Sequence, residues 1–282
     1  ASRHGLIVAV ERLDDLDCGV GYDAAVVATP TANHMTQAIE VMRNGRSVLA
    51  EKPMALSVEH AENMCRIARE AKVTLAVGHI ERFNPIVRYV KEHLRRGDFG
   101  SLISMSAIRL SQHPKRIEDV GVVADLAIHD VDVIRYLVES KVKRVSAVGG
   151  THRKGPKGIE DHVLALLEFN GGVSAHIEAS WLTPYKVRRL MMTCSKKLVT
   201  LDYLNQTVEI ATATPDTTDM AEAGQLPMEY ATTKVVMKRQ EPLRLELEDF
   251  ADAVQRGRKP FVTGEEGVEN LKVCGRILEA MH

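Results

Sequence analysis

The sequence predicts an α/β unit followed by an α+β unit: a parallel sheet first, then a mostly antiparallel sheet with helices on one face. Three observations carry that expectation. Strand-length apolar runs alternate three times with helix-length amphipathic stretches between residues 24 and 96. Beyond Gly100 strand-like segments dominate, several with alternating polarity. One helical pattern interrupts them and two more close the chain. The change of pattern divides the chain into two domains, 1–100 and 101–282.

Residues 24–28 form an unbroken apolar run, the mark of a strand buried on both faces of a parallel sheet. Thr29-Pro30-Thr31 ends it. Asn33 is placed to cap a helix over 34–44, with Gly45 as its stop. A second strand, 47–50, stops at Glu51-Lys52-Pro53. Ser57 caps a helix over 58–72 that turns Ala61, Met64, Cys65 and Ala68 inward. A third strand covers 73–77, and Pro85 suits the first turn of a helix ending at Arg96. In the second part, 102–111, 142–151, 162–169, 173–181, 188–194, 198–204 and 234–238 read as strands. Asn170-Gly171-Gly172 is a hairpin turn. Helices are expected at 124–137, 243–256 and 265–281. Segment 211–230, rich in Thr, Ala, Pro and acids, reads as a surface loop.

Composition narrows the function. Lys+Arg total 37 against 38 Asp+Glu, so the 282-residue chain lacks the basic excess of a nucleic-acid binder. A 45% hydrophobic content at a net charge of -1 fits a globular protein rather than a disordered one. No apolar run reaches the roughly 20 residues of a membrane span, and no signal-peptide pattern opens the chain. Cys18, Cys65, Cys194 and Cys274 form no CxxC pair and match no zinc spacing. They read as free thiols in a reducing cytoplasm.

Four motifs bear on chemistry. Gly19-Val20-Gly21-Tyr22-Asp23-Ala24 matches GxGxxA, but a strand follows where a phosphate loop requires a helix, so the match is rejected. Lys52, after a buried parallel strand, lies where ligands bind in open α/β sheets. It is either a solvated surface lysine beside an acid or a partly desolvated group whose pKa falls toward neutrality. Asp125 and His129 are spaced i and i+4, with Asp132 three residues further. A carboxylate beside an imidazole orients it and raises its basicity, as a general base requires. The same face also reads as a capped, solvated helix surface, or as part of a metal site. No metal is expected, because no further ligand cluster accompanies the three. The string Gly78-His79-Ile80-Glu81-Arg82-Phe83-Asn84-Pro85 puts polar side chains at the third strand end, where they could line a pocket, with Asn84 suited to cap the next helix.

Taken in order, Ala28-Thr29-Pro30 with His34, Glu51-Lys52-Pro53, the Gly78–Pro85 string, Asp125-x-x-x-His129-x-x-Asp132, Ser180-Trp181 and Thr263-Gly264-Glu265-Glu266-Gly267 resemble the glucose-fructose oxidoreductase / inositol dehydrogenase (Gfo/Idh/MocA) family. The resemblance runs through the whole chain. It implies a Rossmann-type dinucleotide-binding domain over 1–100 and a substrate-binding and oligomerisation domain over 101–282. It also implies hydride transfer between a nicotinamide cofactor, NAD or NADP with NAD favoured, and a sugar hydroxyl. Carried over residue by residue, His129 takes the hydroxyl proton, Lys52 polarises the oxygen and Asp125 holds the substrate hydroxyl. Ala28, Thr29, Pro30, His34, Glu51, Lys52 and Arg82 border the cofactor. The Gly78–Pro85 string looks most like members that oxidise nucleotide sugars at C3, such as UDP-N-acetylglucosamine 3-dehydrogenases. Family members open with a strand, a glycine-rich turn, a helix and a ribose-reading strand, so about 50 residues are expected to be missing ahead of Ala1. The residue that separates NAD from NADP is expected among them. A large sheet must have its second face covered or left polar, and a homodimer or homotetramer through that face is expected. Two other classes stay open: a catalytically silent sensor or scaffold, and a metal-dependent hydrolase using Asp125, His129 and Asp132.

Overall fold

A computed structural model of the chain describes residues 21–114, 119–152, 159–213 and 230–281. Its first sheet is parallel and ordered β1 (Ala24–Val27), β2 (Ser47–Glu51), β3 (Leu75–Gly78). Helices α1 (Thr31–Arg43), α2 (Val58–Ala71) and α3 (Pro85–Arg96) follow the successive strands. Alternate residues of β2 serve different layers. Val48 and Ala50 join the main core with Ala38, Met42, Ala61 and Met64, whereas Leu49 and Ala76 pack on Phe250. Burial on both faces is why β2 and β3 read as unbroken apolar runs. Strand β1 departs from that expectation. It is the edge strand of the described sheet, and Val26 is 49% exposed.

Two boundaries differ for local reasons. Helix α1 begins at Thr31 and not His34. Pro30, fixed near φ -56, stands at the N-cap, and the Asn33 amide donates to the Pro30 carbonyl, so Asn33 lies inside the helix and caps nothing. Strand β3 starts at Leu75 because Lys72 turns left-handed (φ 56) and the Val73 amide still donates to Ala68 of α2.

The second sheet has eight strands: β4 (Leu102–Gln112), β5 (Val142–Gly150), β6 (His162–Phe169), β7 (Ser174–Ser180), β8 (Leu182–Cys194), β9 (Leu198–Asp202), β10 (Thr207–Ala213) and β11 (Tyr230–Val236). Their order is β11-β10-β9-β8-β4-β7-β6-β5, antiparallel except where β4 meets β7. Gly171 and Gly172, at φ 90 and 86, make the β6–β7 turn. Strand β10 was not expected, although Val208 and Ile210 face the core with Glu209 outward between them. Its end carries only Ala and Thr, which mask the alternation. The predicted loop 211–230 thus shrinks at both ends, and 214–229 lies outside the described residues. Strand β8 begins six residues earlier than expected, at Leu182, beyond a bulge opposite Leu110–Gln112.

The closing helices return to the first sheet. Phe250 of α5 (Pro242–Arg256) covers Leu49 and Ala76. Helix α6 (Gly264–Ala280), opened by a Thr263–Glu266 capping box, runs past α2, β3 and β5. Its approach needs Gly267, where a Cβ would lie 2.6 Å from the Met54 sulfur and 2.8 Å from Val77. No described helix is long and apolar enough to cross a membrane.

Candidate active site

Lys52 follows β2 at the C-terminal edge of the parallel sheet. Its Nζ donates to Asp125 Oδ1 and to the Asp125 carbonyl, both at 2.8 Å. Asp125 does not lie in a regular helix, as the sequence predicted. It sits in one π-helical turn, Val123–Ala127, that leads into α4 (Ile128–Val138). Such turns concentrate at functional sites. Glu160 fixes where the turn begins: its carbonyl accepts from the Val122 amide (2.9 Å) and its Oε1 from the Val123 amide (3.0 Å). Trp181 Nε1 donates to Asp125 Oδ2 at 3.3 Å. Lys52 and Trp181 therefore engage both oxygens of this carboxylate.

His129, in the first turn of α4, stands near Lys52 but is not paired with a carboxylate. Its Nδ1 is buried without a hydrogen-bond partner. Burial, then the charges of Lys52 and Arg109, hold the imidazole well below its ordinary value, so it is neutral at pH 7. This corrects the expectation that flanking carboxylates raise its basicity. Asp132 points elsewhere, accepting from Arg82 Nε at 2.9 and 3.0 Å and from Asn270 Nδ2 at 2.6 Å. Asp125, His129 and Asp132 thus do not converge on one point.

The residues predicted to border a cofactor separate into two groups. Ala28 and Pro30 are exposed at the end of β1, and Thr29 donates its hydroxyl proton to Gln37 at 2.6 Å. Glu51 is half-buried at the end of β2 and accepts the Lys52 amide at 3.2 Å. These four lie with Lys52 on the strand-end edge. His34 is buried behind it, its two ring nitrogens 2.9 Å from the Pro53 carbonyl and 2.7 Å from that of Thr29. It ties the two strand ends together. Arg82 is also interior, paired with Asp132 at 2.7 Å and with Glu266, and lying over the Tyr136 ring. Burial works against its charge, but the two carboxylates hold its pKa above the ordinary arginine range.

The polar string after β3 accordingly builds a framework and does not line an open pocket. Glu81 accepts from Arg109 Nη1 at 2.9 Å, and Arg109 also grips Asp130 through Nε (2.8 Å) and Nη2 (3.0 Å). Arg109 is 1% exposed. Removing one partner from such a buried pair costs about 3–5 kcal/mol. Asn84 caps α3 as expected, accepting from the Ile86 amide at 3.4 Å. Burial, offset in part by Asp132, pushes His79 down to about 4, and its Nε2 accepts from Asn270 at 3.0 Å. Sequence reasoning missed Arg109, Asp130, Glu160 and the tie from Trp181 to Asp125. One signal was available for Arg109: it shares the inward parity of Met105 and Ala107, and a charge on an apolar strand face calls for a buried partner.

Known proteins resemble this chain throughout. A model described as an oxidoreductase family with an NAD-binding Rossmann fold matches residues 4–79, and a GFO/IDH/MocA C-terminal domain matches 87–200. The UDP-N-acetylglucosamine 3-dehydrogenase of Acidithiobacillus ferrooxidans is 30% identical over 261 residues, 92% of this chain and 79% of that protein. A solved structure of a UDP-N-acetylglucosamine 3-dehydrogenase from that organism superposes with a TM-score of 0.79 at 30% identity, over 92% of this chain and 78% of that one. The scyllo-inositol 2-dehydrogenase (NAD(+)) of Bacillus subtilis is 28% identical over 262 residues, 90% of this chain and 73% of that protein. Both family models fall in sequence order along the chain, and the relatives extend through both sheets, so the chain is a member of the Gfo/Idh/MocA family of NAD-binding oxidoreductases.

Proposed function

We propose that this chain oxidises a hydroxyl of a sugar substrate, with a nucleotide sugar such as UDP-N-acetylglucosamine, reacting at C3, as the preferred class. The observation that carries the reading is the meeting of Lys52, Asp125 and the neutral His129 at the C-terminal edge of a parallel sheet. The edge suits a dinucleotide, with Ala28 and Pro30 exposed, Glu51 half-buried and the reactive groups alongside. A nicotinamide dinucleotide supplies the hydride acceptor when bound. The chain's own groups handle the proton. An ammonium has three N–H donors, and Asp125 takes two from Lys52, leaving one for the substrate oxygen. His129, already neutral, accepts the hydroxyl proton as charge develops. Asp125 then acts by aiming Lys52, which differs from the role of substrate holder implied by the resemblance. The 30% identity to a UDP-N-acetylglucosamine 3-dehydrogenase supports the nucleotide-sugar class.

A reducing cytoplasm suits the buried free thiols of Cys65, Cys194 and Cys274. The apolar residues on the open face of the second sheet support a homodimer or homotetramer.

The test is turnover of UDP-N-acetylglucosamine with NAD, followed by NADH absorbance, in wild type and in Lys52→Ala and His129→Ala. Each variant is expected to lose roughly 100-fold in kcat while remaining folded, as read by a cooperative melting curve. Wild-type turnover in either variant would overturn that residue's role. If wild type binds NADH yet turns over neither UDP-N-acetylglucosamine nor scyllo-inositol, the silent-scaffold reading replaces this one.

A further inference from the structure

We propose that Arg188 is an anion-binding residue of the substrate site, taking a phosphate or carboxylate of the substrate beside the reacting group. The inference rests on the proposed reading of that site and adds the charge of what it accepts.

Three observations lead to Arg188. The first is placement. On β8, Arg188 shares parity with Leu190, Met192 and Cys194, which are buried in the core. In the β4–β8 register it stands opposite Arg109, whose side chain reaches Asp130 of α4. The Arg188 side chain therefore lies on the α4 side of the sheet, close enough for its charge to depress the His129 imidazole. The second is unused capacity. A guanidinium carries five N–H donors. Among the described residues the Arg188 side chain makes no hydrogen bond, and its ion contact is Glu81 at 3.8 Å. Glu81 is already engaged at 2.9 Å by Arg109. The other cations of the cluster each hold a carboxylate at hydrogen-bond distance: Lys52 holds Asp125, and Arg109 holds Asp130 and Glu81. The third is burial. The Arg188 side chain is 34% exposed, which leaves it reachable by a ligand yet partly desolvated. Burial and the neighbouring Arg109 charge also push its pKa below the ordinary arginine range, a penalty that an incoming anion relieves.

A flat fork of donors matches the two oxygens of a carboxylate or a phosphate better than it matches a lone hydroxyl. A nucleotide sugar offers a diphosphate and a uronic acid offers a carboxylate. Neutral cyclitols offer neither. Arg188 thus gives the site a means of choosing among the substrate classes used by the chain's relatives.

The experiment titrates the full chain calorimetrically with UDP-N-acetylglucosamine, glucuronate, N-acetylglucosamine and NADH, for wild type, Arg188→Gln and Arg188→Lys. Arg188→Gln should weaken one of the two anions roughly 30-fold or more while weakening N-acetylglucosamine less than about threefold. NADH affinity should hold, and Arg188→Lys should recover part of the loss. A loss confined to UDP-N-acetylglucosamine assigns the diphosphate, and one on glucuronate assigns the carboxylate. Equal losses for charged and neutral sugars, or unchanged anion binding in Arg188→Gln, would overturn the proposal. So would a wild type that binds neither anion. Anion binding without turnover would leave this site standing while the dehydrogenase reading fell, and neutral-sugar turnover without anion binding would do the reverse.

Discussion

At the scale of single residues, protonation decides what the site can do. A base must be free of its proton before it can take another, and His129 meets that condition because burial and Lys52 disfavour its charged form. Its folded pKa lies below the ordinary imidazole value of about 6.5, so it stays neutral as pH falls through 6.5. The kcat/KM profile should therefore remain flat from about pH 8 down past pH 6, with its acid limb lower still. An acid limb at or above about 6.5 would show that the imidazole is not held neutral in this way. The residue types of the proposed site were legible: Lys52, Asp125 and His129 stand out because charged groups at a strand end and along one helix face suggest chemistry. Their pairing was not. The i, i+4 spacing suggested that Asp125 serves His129, whereas Lys52, 73 residues away in sequence, takes the carboxylate. No local periodicity reports so distant a contact.

At the scale of elements, α5 carries a buried carboxyl that stands outside the proposed reaction. Glu246 is 2% exposed and both its carboxylate oxygens lack a partner. Burial, then Glu51 at the end of β2, Asp132 of α4 and Asp249 of its own helix, push it up to about 8. Folded, it keeps a proton that the unfolded chain releases near pH 4.3, so it contributes most stability below that pH and loses it as pH rises toward 8. Wild type should lose melting temperature between about pH 5 and pH 8, and Glu246→Gln, neutral throughout, should lose much less. Parallel melting curves for the two proteins would refute this account. Element identity was largely readable. Pro85 and Asn84 marked the start of α3, Ser57 that of α2, and Asn170-Gly171-Gly172 the β6–β7 turn, because capping and turn chemistry are local. Strand β10 and the π turn at Asp125 were not readable. The first is stabilised by pairing with β9 and β11, and the second is anchored by Glu160 from a distant loop.

At the scale of the whole molecule, the second sheet has an open face. Leu166 is opposite His176, which is opposite Ser106, which is opposite Met191, and the outward row includes apolar side chains at 51% and 42% exposure for Leu166 and Met191. If copies of the chain associate through this face, Leu166→Asp should shift sedimentation from an oligomer to a monomer while the melting curve stays cooperative. An unchanged sedimentation coefficient would show that copies do not associate through this face. Helix α5 has a different consequence. Phe250 closes one side of the first sheet over Leu49, a contact that spans 201 positions (250 minus 49). A ribosome adds about 5–20 residues per second, so Leu49 waits roughly 10–40 s after its own synthesis before its covering partner is made. Through that interval a parallel sheet formed by the nascent chain would leave the Leu49 and Ala76 face without its α5 cover.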